Sequence, residues 1–320
     1  MNQFINIIQN FKGKKIGIIG DLMLDKFIYG SIKRMSPEAP VPIISVEKEI
    51  YMPGGAGNTA TNIAALGGRA FVIGIVGQDP AGESLLSELK NKGVNVVGVI
   101  KAPNKKTTEK IRIIANENHV ARMDKEEVKY NDASTEKKIL KFVSSRIKEW
   151  DAIIFSDYAK GLISENLAQK IITIARKNKK LTIADTKPKN AHFFKNADFL
   201  TPNNKEALEA TGALSLKQAG RLIQKNINCN VLITQGSKGM TVFNGTHIKH
   251  FPSQKRRVLD VSGAGDTVTA AFCLSLASGA NVEQAVILSN NTAGIAVGKR
   301  GTAVVGQKEL IKYFTNEHKD

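Results

Sequence analysis

Short, uniformly apolar runs recur along the chain, each closed by glycine or an acid: residues 15–21, 71–77, 150–157, 181–187 and 231–236. A run of about five apolar residues without alternation suits a parallel strand covered on both faces. Helical patterns fall between them, at residues 2–11, 59–66, 83–92 and 282–297, with a longer apolar segment at 268–280. Strands alternating with helices predict an α/β fold: a mostly parallel central sheet with helices on both faces. Two segments break the pattern. Residues 27–51 carry Pro37, Pro40 and Pro42 among β-type residues, and 101–124 read as a hairpin around Asn116-Glu117-Asn118. These insertions predict a small separate sheet. A second hairpin is expected at 240–251, around Asn244-Gly245.

The chain has 320 residues, 42% hydrophobic and 23% charged, enough for a sizeable core. One domain over 1–320 is expected, with the insertions at about 27–51 and 101–124. The net charge of +17 raises a polyanion partner. However, Lys and Arg are scattered, with no basic run interleaved with aromatics, so no nucleic-acid partner is expected. The excess reads as a solvated surface, with a small part serving phosphorylated substrates. Cys229 and Cys273 sit in apolar sequence, as buried thiols of a reducing cytoplasm do. Residues 1–15 lack the apolar stretch of a signal peptide. Residues 261–280 are too interrupted for a span, so no membrane insertion is expected.

The candidate chemistry centres on Asp260-Val261-Ser262-Gly263-Ala264-Gly265-Asp266-Thr267, a glycine turn that runs into a long apolar segment. The unpartnered amides of a first helical turn, with the helix dipole, favour phosphate. Asp266 beside them could take a proton from an attacking hydroxyl. An acid there is often only a dipole partner or cap, the commoner reading of these eight residues taken alone, and no Gly-Lys-Ser/Thr follows to make a Walker motif. Acids at strand ends, Asp21 and Asp185, fall where open α/β sheets bind ligands, with Asp25 a weaker candidate. Lys160 and Lys187 lie just beyond strand ends, placed to meet an anion. Asn203 followed by Glu206 is a capping-box spacing and also a possible metal or phosphate network. No Cys/His cluster, HExxH spacing or G-x-S-x-G elbow appears.

Ser262-Gly263-Ala264-Gly265-Asp266-Thr267 resembles the second signature of the ribokinase-like sugar kinases, and residues 54–68, which open Gly54-Gly55-Ala56-Gly57-Asn58, resemble the first. The resemblance covers about residues 16–305. It implies a ribokinase-like fold, with the insertions as a β-sheet lid and dimer contact, and hence a homodimer. It implies ATP and Mg²⁺ as cofactors, with Asp266 as base and Gly263, Ala264 and Gly265 donating amides. Asn203, Asn204, Lys205, Glu206, Thr234, Gly236, Ser237, Gly239, Asn290 and Asn291 are implied on the ATP side. Lys299-Arg300-Gly301-Thr302 would close that side. Asp21, Asp25, Gly54, Gly55, Asn58 and Asp185 are implied on the sugar side. Asn203 and Glu206 would hold Mg²⁺ through water, and Asp260 and Ser262 a monovalent cation such as K⁺.

Residues 20–25, 36–42 and 156–161 are similar to the heptose 7-phosphate kinases of this family. That implies a phosphorylated sugar as substrate, met by Arg122, Lys160 and Lys187, in the supply of ADP-heptose; the alternative is a kinase of another sugar or sugar phosphate, such as a hexose 1-phosphate or ribose. Some relatives add a nucleotidyltransferase domain; no His-x-Gly-His motif occurs here, so that activity is not expected.

Overall fold

A computed structural model describes residues 2–254, 257–299 and 301–316. Thirteen strands occur among them: β1 (Lys15–Gly20), β2 (Leu22–Met35), β3 (Pro42–Gly55), β4 (Arg69–Gly77), β5 (Asn95–Ala102), β6 (Thr108–Ala115), β7 (Asn118–Lys125), β8 (Ala152–Asp157), β9 (Leu181–Thr186), β10 (Phe199–Leu200), β11 (Asn230–Thr234), β12 (Met240–Asn244) and β13 (His247–Phe251). The helices are α1 (Asn2–Gln9), α2 (Ala56–Ala65), α3 (Pro80–Asn91), α4 (Ala133–Arg146), α5 (Glu165–Lys177), α6 (Asn204–Thr211), α7 (Leu216–Ile227), α8 (Ala264–Ala277), α9 (Val282–Ala296) and α10 (Gln307–Asn316).

Nine strands form the central sheet, in the order β13-β12-β11-β10-β9-β8-β1-β4-β5. It is parallel from β11 to β5, and the β12–β13 hairpin adds two antiparallel strands at one edge. Apolar side chains fill both of its faces. Ile16 and Ile18 of β1 join one core with Phe272 and Leu274 of α8 and Leu85 of α3. Ile19, Ile153 and Phe155 join the other with Trp150, Ile171 of α5 and Ile223 of α7. Central strands are therefore apolar throughout, which is why the short runs were legible.

The second sheet has the order β3-β2-β6-β7. Its strands are longer than the insertions suggested, because β2 and β3 stay paired from Met35–Pro42 back to Leu22–Gly55. The β6–β7 turn falls on Asn116 and Glu117, both with positive φ. Since β2 begins where β1 ends, and β3 runs directly into α2, this sheet stands over the carboxyl ends of β1 and β8.

Candidate active site

Two glycine turns meet above the sheet. Gly263 adopts φ 76, the left-handed region, immediately before α8. A Cβ at Gly263 would collide with the Asn58 side chain, so close approach also demands glycine. Asp266, in the first turn of α8, is buried. Asn58 Nδ2 donates to its Oδ2 at 2.7 Å, and Thr59 Oγ1 to its Oδ1 at 2.9 Å. Tyr158 donates its phenol proton to Oδ1 at 3.0 Å. Thr267 Oγ1 donates to Asn62 Oδ1 at 3.0 Å, a second tie between α2 and α8. Burial pushes the Asp266 carboxyl up, and the three donors pull it back down. The result is a desolvated carboxylate, oriented on both oxygens, beside the amide end of a helix.

Next to Asp266 opens a cavity of about 530 Å³. Thr234, Gly236, Ser237 and Gly239 line one side, and Ala264, Gly265 and Asn290 the other. Val258, Val261, Val268 and Val297 give it apolar walls suited to a flat ring. Asn291, expected with Asn290, points elsewhere: its Nδ2 donates to Ile287 O and its Oδ1 accepts from Tyr313. Asn204 and Lys205 are exposed in the first turn of α6 and line neither this cavity nor its neighbour. Arg300 lies outside the described residues.

The neighbouring cavity, about 110 Å³, is lined by Asp157, Tyr158, Asp185, Lys187, Asn203, Glu206 and Gly265 among others. Asn203 and Glu206 form a full capping box on α6. Glu206 Oε1 also accepts from Lys187 Nζ at 2.6 Å. Asp185 is pushed up to about 8, by burial first and then by the charges of Asp266 and Glu206. Asp260 Oδ1 accepts from the Ser262 amide at 2.8 Å and Oδ2 from the Gly301 amide at 3.0 Å, which closes the loop ahead of α8.

On the lid side the two candidate acids differ in how far protein donors already occupy them. Asp21 accepts three backbone amides: Tyr158 at 2.9 Å, Lys160 at 3.0 Å and Leu162 at 3.1 Å. It anchors the loop after β8, and little of its hydrogen-bonding capacity is left for a sugar. Asp25, on β2, sits against Gly54, where a Cβ would strike its carboxylate, and accepts from Arg112 Nη1 at 2.5 Å. Arg122 is not turned to a pocket: its guanidinium forks onto Asp124, both contacts 2.8 Å, and is well exposed. Lys160 pairs with Glu126 at 2.6 Å.

Arg112, Lys110 and Tyr158 were not among the expected site residues. Lys110 Nζ lies 5.9 Å from the centre of the Tyr158 ring, and burial lowers its pKa. One signal could have marked the two cations. Lys110 and Arg112 are two apart on a strand, and so share a face.

Comparison with known proteins agrees with this geometry. The pattern of the pfkB family carbohydrate kinases matches residues 15–308. This chain belongs to the pfkB family of carbohydrate kinases. The kinase is similar to the bifunctional protein HldE of Caulobacter vibrioides, 40% identical over 309 residues, covering 94% of this chain and 63% of that protein. The HldE of Geobacter sulfurreducens is 37% identical over 308 residues, with the same shares of 94% and 63%. The chain thus spans just under two thirds of the length of these relatives. Its fold is shared with an Arabidopsis thaliana ribokinase complexed with ribose and ATP, 18% identical, TM-score 0.74, covering 94% of this chain and 98% of that one. Escherichia coli phosphofructokinase-2 in complex with potassium gives TM-score 0.77 at 18% identity, over 95% of this chain and 100% of that one. The kinase is therefore an ATP-dependent sugar kinase.

Proposed function

We propose that the kinase transfers the γ-phosphoryl group of ATP to the anomeric O1 of D-glycero-D-manno-heptose 7-phosphate, giving the 1,7-bisphosphate in ADP-heptose supply. The observation that carries this reading is Asp266, buried between the ATP-sized cavity and the lid and held by both glycine signatures. The two HldE relatives support the choice of sugar.

Asp266 takes the proton of the acceptor hydroxyl as that oxygen attacks phosphorus. A positioned base contributes about 10²–10⁴-fold. The amides of Gly263 and Gly265 stabilise charge on the transferring group, usually the larger effect, whereas the Ala264 amide, expected beside them, already donates to Val261 O at 3.2 Å and closes the turn. Asp25, Gly54 and Asn58 meet the sugar; Arg112, Lys110 and Lys160 supply positive charge for the phosphate it already carries.

Among the described residues no three acidic, His or Cys side chains stand close enough to ligate a metal directly. The cavity beside Gly265 is polar, and Asn203 and Glu206 on its wall fit an ion bound through water. Magnesium there would neutralise phosphate charge. Asp260 and Ser262 would hold a monovalent cation behind the loop, where the Asp260 carboxylate accepts the amides of Ser262 and Gly301. Exposed Val46, Val120 and Met123 on the outer lid strands favour a homodimer through that sheet.

The test is ATP consumption with heptose 7-phosphate against fructose 6-phosphate. The reading requires heptose 7-phosphate to be the better substrate. Equal or reversed rates would reassign the sugar within the same family.

A further inference from the structure

The two oxygens of Asp266 are not equivalent. Among the described residues, Oδ1 accepts from Thr59 Oγ1 at 2.9 Å and from the Tyr158 phenol at 3.0 Å, whereas Oδ2 accepts only from Asn58 Nδ2 at 2.7 Å. Each carboxylate oxygen has two acceptor positions. Oδ1 is therefore filled, and Oδ2 keeps one lone pair.

The phenol is fixed from several directions. Asp21 accepts the amides of Tyr158, Lys160 and Leu162, which pins the turn that carries the ring. Ala159 within that turn has φ 56, unusual for a residue with a side chain, so the loop is held against its own preference. Two cations lie over the ring, Lys110 Nζ of the lid at 5.9 Å and Lys187 Nζ beyond β9 at 5.2 Å from its centre. Lys187 is in turn held by Glu206. Burial and the nearby carboxylates, Asp266 foremost among them, keep the phenol protonated and hence a donor.

We propose that Tyr158 is the positioning residue of the base: with Thr59 it occupies Oδ1 of Asp266, so that Oδ2 is the oxygen that takes the acceptor's proton. This rests on the reading of Asp266 as base. In the step, the acceptor O–H bond breaks and its proton goes to Oδ2. A new O–P bond forms, and the bond from phosphorus to the bridging oxygen breaks, its electron pair leaving with ADP. The other titratable groups facing this pair are Asp25 from β2, Lys110 from β6, Glu206 from α6 and, at the end of β9, Lys187 and Asp185, which keeps its proton up to about 8.

The experiment is the pH profile of kcat/KM for heptose 7-phosphate at saturating ATP, in the wild-type protein and in Tyr158→Phe. The phenol stabilises the Asp266 anion, so its loss makes the carboxyl a weaker acid. The acid limb of the profile moves up by about one pH unit, a tenfold change in proton affinity, while KM for ATP stays put. A lower plateau with the limb in place would mean that Tyr158 only fills space, and the proposal would be wrong. Thermal melting shows whether the variant is folded. If it is not, the alkaline absorbance titration of tyrosine in wild-type protein and in Asp266→Asn decides instead. One of the five tyrosines must then ionise at lower pH in the variant, having lost its neighbouring anion. An unchanged titration overturns the proposal. An Asp266→Asn protein with full turnover would instead refute the assignment of the base itself, a separate failure.

Discussion

Replacing Asp266 by asparagine keeps the shape of the side chain and removes its charge and basicity. The surroundings dictate how the amide sits. Thr59 and Tyr158 both donate toward one oxygen, so the amide oxygen takes the place of Oδ1. Its nitrogen then faces the Asn58 amide nitrogen, donor against donor. Asn58 can turn its own oxygen inward only by giving up its contact with Asn62 Nδ2, at 3.3 Å. The two remaining hydrogen bonds become neutral ones, each weaker by about 1 kcal/mol, and one buried donor is left unpaired at about 1–3 kcal/mol. Against this, a buried carboxylate no longer has to be desolvated, which saves several kcal/mol. The terms nearly cancel, and stability should change by less than about 2 kcal/mol. Turnover cannot be compensated in the same way, because among the described residues no other carboxylate accepts from Asn58 and Thr59. With heptose 7-phosphate it should fall by about 10²–10⁴-fold, or ~3–5 kcal/mol of barrier. A coupled assay for ADP, run beside thermal melts, reads both. A folded variant whose turnover stays within tenfold of wild type would refute the reasoning.

Asp185→Asn bears on pH-dependent stability. The folded protein holds the Asp185 proton up to about 8, against an ordinary 3.8. That group's contribution is fully present below the ordinary value and is lost as pH rises toward about 8. Chemical denaturation of Asp185→Asn should therefore show a shallower loss of stability across that window; an unchanged slope contradicts it. Asp25→Ala should raise KM for the sugar at least tenfold and leave KM for ATP alone, since Asp25 lies on the lid side with Gly54 and Arg112. An equal rise in both constants would count against that placement. Gly220→Ala on α7 drives a methyl into the Phe243 ring. Denaturant melts should show a net loss of up to about 2 kcal/mol, once the ~1 kcal/mol helix-propensity gain of alanine is subtracted from the overpacking cost. A more stable variant would show that the ring can move aside.

The order of strands and helices was written in local patterns. Residues 15–21 and 150–157 announced β1 and β8 because strands covered on both faces carry no polar alternation. Gly263 and the glycines before α2 were legible because close approach leaves few residue choices. The same holds for Asn203 and Glu206, whose capping box spans a single helical turn. What the chain could not show locally was which of two similar side chains faces the site. Asp21 stood ahead of Asp25 in sequence because it closes a strand; the loop after β8, more than a hundred residues away, supplies the amides that occupy Asp21. Arg112 and Arg122 stand opposite each other on β6 and β7, yet only Arg112 reaches Asp25, because β2 lies beside β6. Tyr158 lay in the stretch 156–161 that carried the family likeness, but nothing local marked its phenol, because its partner Asp266 lies on a distant helix. Apolar periodicity and backbone constraints are local properties, and they determined the elements and the glycine turns. Hydrogen-bond partners and side-chain direction depend on which strands lie together, and tertiary structure alone decided those.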